Sequence, residues 1–285
     1  MRRHARILGL VLALAGMGAA SATAADAASS APAVPATTPP GYSVVSANFP
    51  LPNGFQTSGS VTCPVEKGVQ TVPFSGGAFV GTASLDASIS SSFPFSDSWA
   101  VDVNNTSGAA SQFTVYAVCA KKPKAYVQQH ATTPAPADSQ TELGAICPKG
   151  HVLLGGGARS GSSNPLVSLS SSYPGSTTTW FVRLNNPTST STDVTIYRVC
   201  GKLNVSKTFY QIVAAPSTDN PAGQLTMTEA MCPGGESVLG GGLRSSGGLG
   251  VSVSSTFPFT NFWVGDEGNA TTNDASAQAV VLCAL

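Results

Sequence analysis

Apart from His4, the imidazoles in this 285-residue chain are His130 and His151, so a histidine base for nucleophilic hydrolysis must come from that pair. His130 lies in the alternating run Tyr126-Val-Gln-Gln-His130, and His151 follows the turn-like Cys147-Pro-Lys-Gly150. Neither is flanked by a Gly-x-Ser-x-Gly elbow, and both read as surface or turn histidines. The carboxylates offer a second chemistry. Asp102 and Asp266 each stand third after a tryptophan, but the matching residue in the middle of the chain is Arg183. Glycoside hydrolysis needs two carboxylates converging on a sugar from opposite sides. Asp266 and Glu267 are sequence neighbours, so on a strand they point to opposite faces and read as solvated acids.

Six cysteines, Cys63, Cys119, Cys147, Cys200, Cys232 and Cys283, suggest different chemistry. They are well separated and have too few histidines near them for a zinc site. An even count in an exported chain reads as three disulfides. Two symmetric pairings are open. One joins each repeat to itself, as Cys63–Cys119, Cys147–Cys200 and Cys232–Cys283. The other joins each repeat to the next and needs Cys283 to return to Cys63. The within-repeat pairing is expected, because it works whether or not the repeats form one body.

Those repeats are carried by the Ser-rich stretch Val167-Ser-Leu-Ser-Ser-Ser-Tyr-Pro174 and its copies Ala87 to Pro94 and Val251 to Pro258. Each copy follows a glycine-rich strand end and precedes a tryptophan, an asparagine and a cysteine. Trp99, Trp180 and Trp263 are 81 and 83 residues apart. A period this steady marks three copies of one structural unit of about 82 residues. The apolar and polar residues of each unit alternate with period two, and no stretch shows a convincing helical period. The chain is therefore expected to be all-β. One pseudo-threefold, β-prism-like body is favoured over three tandem small β-sandwiches, because 80 residues this rich in Gly and Ser bury little core alone.

Within each unit, proline after the first cysteine should end a strand, and the following glycine suits a turn with positive φ. The glycine triplet Gly155-Gly-Gly157 predicts a bulge or a close passage of another segment. Asn185-Asn186 predicts a turn. The tryptophans begin apolar alternations and are expected in the core. Ser88, Ser90, Ser168, Ser170, Ser252 and Ser254 should line the wet face of a sheet, where three repeated ladders make a candidate ligand surface. Arg159 and Arg244 occupy matching positions past the glycines and are candidate anion ligands, although the first copy has Phe79 there.

Taken together, Cys-Pro-x-Gly, Gly-Gly-Gly, the Ser-rich strand, Pro, Trp, Asn and Tyr-x-Val-Cys resemble a module of bacterial exported proteins of unassigned function, over residues 42–285. Modules of that kind that occur singly are similar to end-pieces that can trimerise. The resemblance implies a covalent trimer in one chain, with no enzyme activity and no catalytic residues.

The ends and the charge fit export. Arg2, Arg3 and Arg6 precede the short apolar run Ile7 to Ala15, and Ala22-Thr23-Ala24 supplies the small residues of a signal-peptidase site. Residues 1–24 are expected to be a signal peptide, and 25–41 an Ala/Pro/Ser/Thr-rich disordered spacer. Repeats then span 42–122, 123–204 and 205–285. Loss of three arginines leaves eleven basic residues against 14 acidic ones. That balance excludes a nucleic-acid backbone as partner, and no second apolar segment predicts a membrane span. The expected protein is a secreted monomer without a cofactor, a structural or recognition module for envelope or extracellular polysaccharide. The alternative is a secreted hydrolase whose site is confined to one repeat.

Overall fold

A computed structural model describes residues 38–203 and 210–284. The expected signal peptide, and the spacer up to residue 37, lie outside the described residues. The first repeat forms β1 (Ser43–Leu51), β2 (Phe55–Thr62), β3 (Val65–Glu66), β4 (Val69–Val80), β5 (Ala87–Phe95), β6 (Ser98–Asn105) and β7 (Ser111–Lys121). The second forms β8 (Lys124–Ala135), β9 (Ser139–Ile146), β10 (Val152–Ser160), β11 (Ser168–Ser176), β12 (Thr179–Asn186) and β13 (Thr192–Lys202). The third forms β14 (Tyr210–Ala214), β15 (Thr218–Asn220), β16 (Leu225–Met231), β17 (Ser237–Ser245), β18 (Val251–Phe259), β19 (Phe262–Asn269) and β20 (Ala275–Ala284). The protein is all-β.

Three open antiparallel sheets run β1-β7-β4-β18-β19-β16, β2-β6-β5-β10-β13-β8 and β14-β20-β17-β11-β12-β9. Every sheet takes half its path from one repeat and half from another, so the tandem-sandwich alternative is excluded. The halves meet at three equivalent seams, Ser92 opposite Ala158, Ser172 opposite Leu243, and Thr256 opposite Ala78. Strands β5, β11 and β18 pack on one another, as do β4, β10 and β17, which places a pseudo-threefold centre among them. The body is prism-like.

The glycine triplets lie at that centre, and both expectations for them hold. Each strand bulges just before or within its triplet, between Pro73 and Ser75, Leu153 and Gly155, and Val238 and Gly240. The middle glycine leaves room for the indole of its own repeat: a Cβ on Gly76, Gly156 or Gly241 would overlap Trp99, Trp180 or Trp263. The last glycine admits the neighbouring repeat. A Cβ on Gly77, Gly157 or Gly242 would overlap the carbonyl oxygen of Thr256, Ser92 or Ser172. All three tryptophans are buried, and each indole N–H donates to a hydroxyl on the Ser-rich strand: Ser92, Ser172 or Thr256.

The cysteines pair within repeats, Cys63–Cys119, Cys147–Cys200 and Cys232–Cys283, with Cα–Cα distances of 5.6, 5.9 and 5.6 Å. Loops of this size are worth about 4 kcal/mol each on the chain-entropy model. The Cys-Pro turns do need positive φ, at Gly68 (77°), Gly150 (77°) and Gly235 (84°). A second set of fasteners links one repeat to another. Tyr42 donates its hydroxyl to Val238 O, Tyr126 to Pro73 O, and Tyr210 to Leu153 O. Burial pushes all three phenols up, Tyr42 to about 12.

Three expectations are corrected. Ser88, Ser90, Ser168, Ser170, Ser252 and Ser254 are all buried and form no wet face. A bulge at Ser90, Ser170 and Ser254 shifts the alternation of the Ser-rich strands, and both faces of each strand are covered by its own repeat and by its neighbours. Other serines of the same strands serve the seams: Ser91 accepts from Ser160 N, Ser171 from Ser245 N, and Ser255 from Val80 N. Asn185 and Asn186 do not turn the chain but end β12, fully buried. Asn186 donates to Ala135 O and Thr190 O and accepts from Thr188, which organises the loop beyond the strand. Asn105 and Asn269 do the same. Finally, Glu267 is not solvated. It is completely buried where the other repeats have Val103 and Leu184, and it accepts from Asn220 Nδ2 at 2.9 Å.

Candidate functional site

The outer face of each sheet carries a short tract of side chains across the seam. Its centre is the aromatic residue just before the proline of the Ser-rich strand: Phe93, Tyr173 or Phe257. The flanking strand of the next repeat lays one residue against that ring. Arg159 lies 5.5 Å from the Phe93 centroid and Arg244 lies 5.8 Å from that of Tyr173. In the third seam Phe79 takes the position, 5.5 Å from Phe257 with its ring edge-on. A further ring stacks in each seam: Tyr197 on Phe93, Phe181 on Tyr173, and Tyr116 on Phe257. Arg159, Phe79 and Arg244 stay exposed because their strand alternates core-inward across the glycine triplet.

A second position on the same face varies in charge. Asp102, Arg183 and Asp266 are equivalent, standing in register opposite Ser91, Ser171 and Ser255, the residues that follow the bulge of each Ser-rich strand. Asp102 accepts from the Ser58 hydroxyl at 2.6 Å. Arg183 pairs with Glu142 and donates through Nη1 to Ser245 O across the seam. Asp266 is half-buried; desolvation pushes its carboxyl up, and the Ser255 hydroxyl opposes the shift. The three seams thus present Asp with Arg, Arg with Arg, and Asp with Phe.

Two of the seams are concave. The first holds a cavity of about 380 Å³ whose lining includes Phe93, Phe95, Ser58, Ser60, Asp102 and Arg159. Phe95, at the hairpin tip, is one of the most exposed large apolar side chains described, at 66%. The second holds a cavity of about 500 Å³. The first cavity's aromatic walls, with a few polar groups of both signs, suit a ligand with an apolar face and a hydroxylated rim.

The sequence-derived candidates divide sharply. Arg159 and Arg244 lie in the seams, and the six serines lie inside. His130 is exposed on β8 with its ring 5.5 Å from Tyr197, and the Nδ1 of His151 lies 3.3 Å from Lys149 O. Neither is within hydrogen-bond distance of a serine or cysteine among the described residues. No group of three or more His, Cys, Asp and Glu that could hold a metal ion occurs among the described residues. Sequence reasoning missed Phe93, Tyr173 and Phe257, although each repeat has an aromatic residue directly before the same proline. That pattern was available as a signal. No protein-family model matches this chain, and the curated proteins contain no match to it.

Proposed function

We propose that this protein is a secreted, non-catalytic recognition module that binds envelope or extracellular polysaccharide through its outer seams. One observation carries the reading: at the first seam, Phe93, Phe95, Asp102 and Arg159 converge on one 380 Å³ cavity. A pyranose ring has an apolar C–H face and a rim of hydroxyls. The exposed Phe95 ring takes the first; of the second, the Asp102 carboxylate accepts from the hydroxyls and the Arg159 guanidinium donates to them. The cavities of the first and second seams let a single chain engage a polymer at more than one point, which raises avidity without new contacts. Each chain already contains the three copies that a trimer of single modules would supply, so it acts as a monomer. Three disulfides are compatible with an oxidising compartment and support the exported location. No helix among the described residues is long and apolar enough to cross a membrane.

Neutral oligosaccharide arrays and isolated envelope polysaccharide, probed with residues 25–285, test this reading. Phe95→Ala and Asp102→Asn are expected to weaken binding about tenfold or more with the melting temperature unchanged. No saccharide bound by the wild type, or binding untouched by both variants, refutes it.

A further inference from the structure

The second seam differs from the other two in charge, and the difference is built into its position. Arg183 stands where they have Asp102 and Asp266, while Arg244 matches Arg159 and Phe79. The cavity of about 500 Å³ beside this seam is lined by both guanidiniums together with Ser217, Ser246, Ser276 and Gln278, among others. Arg183 is held from two directions, by Glu142 through Nε and by Ser245 O through Nη1. Arg244 is exposed, lies over Tyr173, and has no ion pair among the described residues. Asp219 stands opposite Ser276 in register and pairs with neither guanidinium among the described residues. The Gln278 amide nitrogen is fixed by Ala215 O at 2.8 Å, which leaves its oxygen as an acceptor.

We propose that this cavity is a binding site for a carboxylate-bearing sugar, a uronic acid unit of a polysaccharide. A planar carboxylate accepts two parallel N–H bonds from one guanidinium fork, and Arg244 is the fork without an acid partner. Arg183, immobilised and paired with Glu142, contributes N–H donors rather than net charge at the same end. The serine hydroxyls and the Gln278 oxygen meet the sugar's hydroxyls. The inference rests on reading the seams as saccharide-binding surfaces, and it divides the work between them: acidic units at the second seam, neutral ones at the first.

The test is calorimetric titration of residues 25–285 with an oligogalacturonate, and with the same oligosaccharide reduced at C6 so that only the carboxylates are lost. The wild type is expected to bind the acidic form at least tenfold more tightly. Arg244→Gln, at an exposed position, should abolish that preference without changing the melting temperature. Arg183→Gln should reduce it, while Lys149→Gln, a charge loss on a distant turn, should leave it intact. Equal binding of the two oligosaccharides, or an unchanged preference in Arg244→Gln, overturns the uronate site. Tighter binding of a glycerol-phosphate polymer than of the oligogalacturonate overturns it as well. If the reduced sugar binds and Phe95→Ala weakens it, the saccharide reading survives the loss of this site. If neither sugar binds, both fall.

Discussion

The seams leading out of the first and second repeats are sealed by one polar device, and the seam from the third repeat back to the first is not. Gln56 Nε2 donates to Ser90 Oγ, Asn104 Oδ1 and, in the next repeat, Ser162 O; Asn104 then donates to Val167 O. Gln140 and Asn185 reproduce the set with Ser170, Gly247 O and Val251 O. In the third repeat Leu225 and Gly268 replace the pair, Leu85 of the first repeat fills the space, and Ser254 Oγ is buried without a partner among the described residues. The same repeat buries Asn220 and Glu267 where the second has Ala135 and Leu184. One backbone plan therefore tolerates either a hydrogen-bonded or an apolar seal, provided the glycine passage behind it stays open. The passage is the invariant of the three seams, and the seal is the variable.

That contrast can be broken most severely at the passage itself. Alanine at Gly157 would drive its Cβ into the Ser92 carbonyl, with backbone on both sides and no side chain to yield. A loss of more than about 4 kcal/mol is expected, seen in denaturant unfolding, and Gly77→Ala should match it at the third seam. Wild-type stability in either variant would show that the seams can open without cost. A smaller effect is expected at the seal. Asn104→Ala and Asn185→Ala should each cost roughly 1–3 kcal/mol, because buried carbonyls and the glutamine amide lose their partners. Gly268→Asn should not stabilise the third seam, since a Cβ there meets Leu85 and Ser254. A clear gain in that variant would mean the seals are interchangeable.

The smallest effect concerns Glu267. Burial pushes its carboxyl above the ordinary range, with Asn220 and Ser245 opposing. A raised folded pKa adds stability that is fully present below the unfolded pKa and is lost as pH rises through the folded value. Thermal unfolding scans should therefore show stability falling across that interval. The double variant Asn220→Ala with Glu267→Leu recreates the second repeat's pair. It should be neutral or stabilising at neutral pH and should flatten that part of the profile. An unchanged profile would mean that Glu267 does not titrate on unfolding.

Much of this architecture could be read from the chain. The regular spacing of Trp99, Trp180 and Trp263 revealed the repeats, and their apolar alternation placed them in the core. The glycine triplets announced a close approach, because three glycines in an apolar strand make no sense otherwise. The serines misled, for alternation distinguishes two faces but not solvent from a polar interior. A strand covered on both sides with its hydroxyls bonded across a seam carries the same period as a half-exposed one. Glu267 was misread for a related reason: its neighbour Asp266 is half-buried, and only the register with Asn220 shows that a carboxylic acid fills an apolar position. The seam sites themselves were legible only in part. Their residues come from different repeats, so no local spacing brings Phe93 to Arg159 or Tyr173 to Arg244.

The tyrosine fasteners have a kinetic consequence. Tyr42 is satisfied by a carbonyl 196 residues away, and β4, paired with β7 in its own repeat, finds a partner for its other edge in β18. As the chain is made, the first repeat therefore presents an unpaired strand edge and an unclaimed phenol until the third repeat arrives. Contacts of such long range make folding slow, and an open edge invites pairing with other chains while it lasts. Under the secreted role proposed above, export in an extended state, with folding begun only once all three repeats are present together, would remove that interval of exposure.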